Sequence, residues 1–219
     1  MSKSLINILL TILAMTVSYG QKDSISFLAL GDSYTIGTGE SKLNSWPFQF
    51  VAQSKKKKVV IETPKIIAKA GWTTTDLLDA IQAEQPNPNY ELVSLMIGVN
   101  NQYQGINIEV FKKEFLSLLD KSIRFAKDNP DNVFVLSIPD WSITPFARFG
   151  DKKKIVRELN IYNSIIREET EKQGILFIDI TKISKNALLN PSLIASDSLH
   201  PSKKMYRMWA KKISKKLYD

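Results

Sequence analysis

The 219-residue chain contains no cysteine and only one histidine. Without a thiol there is no disulfide, no thiolate zinc site and no N-terminal cysteine to carry a lipid. One imidazole rules out a histidine-rich metal centre and leaves His200 as the sole candidate for an imidazole base. Neither a metal nor an organic cofactor is expected. Past the N-terminal segment, no apolar run approaches the ~20 residues of a membrane-crossing helix. No internal repeat, low-complexity linker or composition break divides the chain.

Positive charge is in excess, with a formal net charge of +8. Lysine runs stand at Lys55–Lys58 and Lys152–Lys154, neither interleaved with aromatic residues, and they read as solvated loop or helix ends. No nucleic-acid partner is expected. The N-terminus has the pattern of a signal peptide over residues 1–20: Lys3, then the mostly apolar Leu5–Val17 with Asn7 inside it, then Ser18-Tyr19-Gly20. That apolar run is too short to cross a bilayer as a helix; an uncleaved N-terminal anchor is the alternative. Export to a periplasm or the medium is therefore expected, with no integral span after cleavage. Residues 21–219 remain as one domain with room for a sizeable core.

From Ser24 onward, short apolar runs alternate with amphipathic stretches. Ile25–Leu30, Val59–Ala68, Leu92–Ile97, Val133–Ile138 and Ile175–Ile178 read as buried strands, being short, apolar and often β-branched. Asp76–Gln85 reads as a helix capped by the preceding threonines. Ile108–Lys127 carries a helical stripe that Asn129-Pro130 ends, and Lys153–Gln173 repeats the pattern with Gly174 closing it. A last helix starts at Ser202, with Pro201 beside it. Strand–helix alternation with continuously apolar strands predicts a parallel sheet covered on both faces, whose ligands bind at the carboxyl ends of the strands.

Four separated segments carry polar groups at or after those strands. Gly31-Asp32-Ser33 follows the first and offers a hydroxyl that can attack an ester carbonyl once a base takes its proton; the strand-end glycine is expected to permit a tight turn. The same tripeptide alone is also an ordinary turn or helix cap, and Thr35 stands where a Gly-x-Ser-x-Gly elbow would have its second glycine. Gly71, in Ala70-Gly71-Trp72, can present an unshielded N–H to an oxyanion. Gly98-Val99-Asn100-Asn101 supplies side-chain amides for the same purpose, and spacing does not say which asparagine turns inward. Asp197-x-x-His200 places a carboxylate within reach of one ring nitrogen while the other is left for a serine.

In order, spacing and residue type, the four segments resemble the blocks of the SGNH hydrolases, also called the GDSL esterase/lipase family. The resemblance runs from about Phe27 to the last helix. It implies a three-layer α/β/α, flavodoxin-like fold with about five parallel strands. It implies Ser33 as nucleophile and His200 as general base and then acid, oriented by Asp197. The oxyanion hole would be the Ser33 and Gly71 N–H groups with the Asn100 amide. Asn101 departs from the aspartate common there, and Tyr34 from the leucine of the family's short name; neither touches a catalytic atom.

The loop after the fourth strand is long, aromatic and stiffened by proline, and Trp141, Phe146 and Phe149 are expected to help line the acyl or alcohol pocket. Trp46-Pro47-Phe48 reads as a helix start with a core role, a place along the same pocket edge being the alternative. The substrate is expected to be a small ester or an acylated carbohydrate; no amphipathic lid stands out, which favours small acyl groups over the long chains of a lysophospholipase or thioesterase. Two competing readings use the same fold. The hydroxyl- and glycine-rich Ser33–Gly39 segment can cradle phosphate or a flavin, but that leaves Asn100 and Asp197-x-x-His200 unexplained. A silent glycan-binding protein needs no Ser, Asp and His together.

Overall fold

The computed structural model describes residues 24–219; the leader expected over residues 1–20 lies outside them. The chain opens with β1 (Phe27–Gly31), α1 (Ser33–Ile36) and α2 (Trp46–Lys56). Next come β2 (Lys65–Ala68), α3 (Thr74–Glu84), β3 (Leu92–Met96), a short α4 (Val99–Tyr103) and a long α5 (Ile108–Phe125). β4 (Val133–Leu136) leads through 3-10 turns at Trp141–Ile143 and Pro145–Phe149 into α6 (Lys152–Lys172). β5 (Leu176–Ile178), α7 (Thr181–Ser184) and α8 (Lys203–Tyr218) complete it.

The five strands form one parallel sheet in the order β2-β1-β3-β4-β5. α2 packs on α8, while α3, α5 and α6 pack side by side. A right-handed crossover puts a leftward connection and a rightward one on opposite faces, so these two helix groups cover the two sides of the sheet. This is the three-layer α/β/α arrangement the sequence predicts. β1, β3 and β4 are buried at every position, as strands covered on both faces must be.

Two elements differ from the sequence reading. The second strand is only Lys65–Ala68, because Pro64 has no N–H to give a ladder; before it, residues 59–63 contribute a lone bridge between Ile25 and Ile61. α2 is a full helix whose periodicity the polar residues Gln49, Gln53 and Ser54 obscure. Its apolar side is Trp46 and Phe50, which pack with Phe27 and Phe134 at ring separations of 5.5–6.3 Å, so Trp46 holds the core position expected of it. Among the described residues no helix is long and apolar enough to cross a membrane.

From β1 the chain runs outward to β2, then returns past β1 to β3. Connections from β1 and β3 therefore leave the sheet on opposite sides and open a crevice at the carboxyl ends of these two strands. Ser33 follows β1 and Asn100 follows β3.

Candidate active site

Asp32 caps α1 by accepting from Tyr34 N–H at 3.0 Å, which fixes Ser33 as the first helical residue at the end of β1. The Ser33 hydroxyl has no hydrogen-bond partner among the described residues. Gly31 is required here for space rather than for a turn: a Cβ there would lie 2.2 Å from Thr35 Oγ1 and 2.5 Å from the Met96 carbonyl oxygen.

His200 is brought to the same crevice by the loop before α8. Its Nδ1 lies 2.7 Å from Asp197 Oδ2, while Asp197 Oδ1 accepts from the N–H groups of Leu199 and His200 at 3.0 and 2.9 Å. Ser198 makes this possible by adopting the left-handed conformation at φ 68°, a strain of about 1–3 kcal/mol for a non-glycine residue. Burial raises the Asp197 pKa, but these three hydrogen bonds and the imidazole charge outweigh it and hold the carboxyl below its usual value. With Nδ1 committed, Nε2 is the nitrogen left for a proton acceptor's role. Tyr34 packs edge-on against the imidazole at 5.4 Å, so this departure from the family's leucine, expected to touch no catalytic group, does contact one. Gly39 completes the support: a Cβ at this position, already at φ 84°, would stand 2.7 Å from Asp197 Oδ2.

The two asparagines are separated by their surroundings. Asn101 is fully buried, donating to Thr74 Oγ1 at 2.7 Å and accepting from Thr74 N–H at 3.0 Å, so it ties α4 to the start of α3. Asn100 faces the crevice and donates through Nδ2 to the Trp72 carbonyl at 2.8 Å. An amide nitrogen carries two protons, so that bond orients the group and leaves the second N–H free. The same bond anchors the loop holding Gly71, which is exposed at φ 85°. Gly71 is not in the cavity wall itself.

That wall encloses about 120 Å³ and is formed by Ser33, Tyr34, Val99, Asn100, Tyr103, Trp141, Phe146, Leu199 and His200. Tyr103, Trp141 and Phe146 make a mutually packed cluster of rings, 5.6–6.1 Å apart. Trp141 is held by Nε1 donating to Gln102 Oε1 at 2.9 Å, and Gln102 in turn donates to Glu158 of α6 at 2.8 Å. Phe146 N–H donates to the Ser198 carbonyl at 3.0 Å, joining the aromatic loop to the His200 loop. Phe149 lies outside: it is 88% exposed and its ring is covered by the Arg148 guanidinium at 4.6 Å. Aromatic character alone does not distinguish it from the other two. Tyr34, Val99, Tyr103 and Leu199 carried no polar signal that would have singled them out. Among the described residues no group of three or more His, Asp or Glu is placed to hold a metal ion.

Burial pushes the Asp32 carboxyl up from 3.8 to about 7, against the lowering pull of the Tyr34 N–H. The folded state therefore binds a proton that the unfolded state has already released, and stability falls as pH rises through this window, by a contribution on the order of 4 kcal/mol. Asn can keep the bond to Tyr34 N–H without titrating. Thermal melts from pH 4 to pH 8 are expected to drop more steeply for the wild type than for Asp32→Asn; parallel curves would mean that Asp32 stays ionised.

The GDSL-like lipase/acylhydrolase family is matched over residues 29–208. Among curated proteins none matches the chain. Solved structures of similar fold include the psychrotrophic esterase EstA from Pseudoalteromonas sp. (18% identity, 90% of this chain and 100% of that one, TM-score 0.66). An acetylxylan esterase from Geobacillus stearothermophilus is similar at 17% identity over 90% and 95% of the two chains, with a TM-score of 0.65. A lipolytic G-D-S-L protein from Veillonella parvula is similar at 19% identity over 88% and 97%, with a TM-score of 0.64.

Proposed function

The chain belongs to the GDSL-like lipase/acylhydrolase family and is a carboxylic ester hydrolase, and from that premise we propose an exported serine esterase acting on short acyl or acetyl esters, including those on carbohydrates. Ser33 Oγ attacks the ester carbonyl while His200 Nε2 takes its proton. Asp197 holds the tautomer with the proton on Nδ1 and balances the imidazolium that forms. The Ser33 N–H and the second Asn100 N–H receive the oxyanion, joined by the N–H of Gly71, which lies outside the cavity wall on the loop that Asn100 anchors through Trp72. The imidazolium then protonates the leaving alcohol, and water repeats the sequence on the acyl-enzyme. The observation that carries the reading is the single imidazole, bonded to a carboxylate at 2.7 Å and sharing one cavity with Ser33 and Asn100.

Cavity size supports a short acyl group. An apolar cavity of about 150 Å³ holds a benzene molecule, so about 120 Å³ takes an acetyl or butyryl group whole and forces a longer chain out past Tyr103 and Phe146. Among p-nitrophenyl esters, kcat/KM is expected to be highest for acetate or butyrate and to fall by about tenfold or more for octanoate. A maximum at octanoate would point to a lysophospholipase- or thioesterase-like pocket. A fluorophosphonate probe is expected to label the protein at Ser33; EstA was crystallised inhibited by monoethylphosphonate. Export rests on the pattern of residues 1–20 and is tested by the N-terminal sequence of protein recovered outside the cytoplasm.

Asn100→Ala removes one oxyanion donor and the tie to Trp72, and is expected to lower kcat by about 10²–10³ while the fold persists. Asn101 carries the structural link between α3 and α4, so Asn101→Ala should instead lower the melting temperature. Near-normal turnover of Asn100→Ala would remove Asn100 from the oxyanion hole.

A further inference from the structure

A second cavity, of about 300 Å³, opens at the carboxyl ends of β4 and β5 between α6 and α7. Its floor is rigid because its polar groups are engaged. Asn163 accepts from Ile138 N–H at 2.7 Å and donates to the Ile138 carbonyl at 3.0 Å. Thr181 Oγ1 donates to that carbonyl at 2.9 Å, and Ser137 Oγ accepts from Ile180 N–H at 2.8 Å. The rim differs: the side chains of Asn160, Ser164 and Lys182 have no protein partner among the described residues. The Arg167 guanidinium stands over the Phe177 ring at 4.6 Å, and its only ion pair among the described residues is an exposed contact to Glu171 at 3.9 Å. Such exposed pairs hold a guanidinium weakly, so its donors remain available.

We propose that this cleft is a second subsite, one that binds an acidic saccharide residue, a uronate, of the same molecule whose ester reaches Ser33. The proposal rests on the serine esterase reading. The chemistry of the lining is that of a carboxylate-bearing sugar. Arg167 offers two parallel N–H donors to a carboxylate, with Lys182 adding positive charge. Asn160, Ser164 and the Asp179 carboxylate accept from or donate to ring hydroxyls. Lys185 faces the Asp140 carboxylate, so Arg167 and Lys182 against the one lining carboxylate, Asp179, favour an anionic sugar over a neutral one.

The sheet sets the spacing. β4 and β5 lie two and three strand positions from β1, about 10–14 Å at ~4.8 Å per strand, which a short oligosaccharide spans along the carboxyl edge. The two cavities are also joined physically. Lys185 of the cleft approaches Asp140 Oδ2 at 3.7 Å, and Asp140 caps the turn that presents Trp141 to the ester cavity.

The test is calorimetric titration of the folded Ser33→Ala protein with trigalacturonate, cellotriose and inorganic phosphate. Trigalacturonate is expected to bind more tightly than the other two, and Arg167→Ala or Lys182→Ala, added separately, to weaken it about tenfold or more. Equal binding of cellotriose, equal binding of phosphate, or indifference to both substitutions would overturn the subsite. In the active protein, the preference in kcat/KM for acetylated trigalacturonate over acetylated cellotriose is expected to fall about tenfold in Arg167→Ala. An active esterase that does not bind trigalacturonate sinks this inference alone; trigalacturonate binding to a protein without Ser33-dependent turnover sinks the esterase reading instead.

Discussion

Ser33→Ala is expected to lower ester hydrolysis by about 10⁵–10⁶ in kcat, the loss typical when the nucleophile of a triad is removed. The substitution deletes one oxygen atom that has no hydrogen-bond partner among the described residues. The α1 cap, made by the Asp32 side chain to Tyr34 N–H, is untouched. Melting temperature and circular dichroism should therefore match the wild type, so that the loss is chemical. Binding of a short ester should survive in the variant, since the Tyr103, Trp141 and Phe146 wall is intact. Any residual rate would come from hydroxide or water attacking an ester still held by the Gly71 and Asn100 donors. Turnover close to wild type would place the nucleophile elsewhere and return the Ser33–Gly39 segment to a binding role.

Asp197→Asn is expected to cost about 10⁴ in kcat with little change in KM. The carboxylate accepts from two backbone N–H groups through Oδ1 and meets the imidazole through Oδ2. An asparagine keeps the backbone bonds only by placing its carbonyl oxygen where Oδ1 was. Its amide nitrogen then faces His200 Nδ1 and donates where an acceptor is needed. The imidazole must answer with the tautomer protonated on Nε2, which cannot take the Ser33 proton. The neighbourhood leaves little room for escape, because Gly39 packs against this carboxylate on one side. A variant within tenfold of wild type would reduce Asp197 to a cap for the His200 loop, with Nδ1 oriented by other means.

Most of the sheet was legible. β1, β3, β4 and β5 lie within a residue or two of the apolar runs that predict them, because strands covered on both faces must be continuously apolar. The long helices α5 and α6 were legible through their stripes. α2 was not, since its burial depends on two aromatic residues meeting Phe27 and Phe134 from distant parts of the chain. The second strand is shorter than the apolar run Val59–Ala68 predicts, because Pro64 breaks the ladder that its β-branched neighbours favour.

Residue chemistry was likewise visible in sequence: one histidine, an acid three residues before it, a serine at the end of a strand, glycine and asparagine after two others. What the sequence by itself determined was therefore the alternation of elements, the inventory of reactive groups and the family. Spacing left the two asparagines equivalent and the family resemblance implied Asn100; tertiary structure alone decided that Phe146 lines the crevice while Phe149 does not, and that Gly39 backs Asp197. The division has a physical cause. Period and composition act between near neighbours and leave their mark in any short window. Orientation within a cavity is set by contacts such as Asn101 with Thr74 or Phe146 with Ser198, between residues tens of positions apart, which exist only once the parallel crossovers have closed.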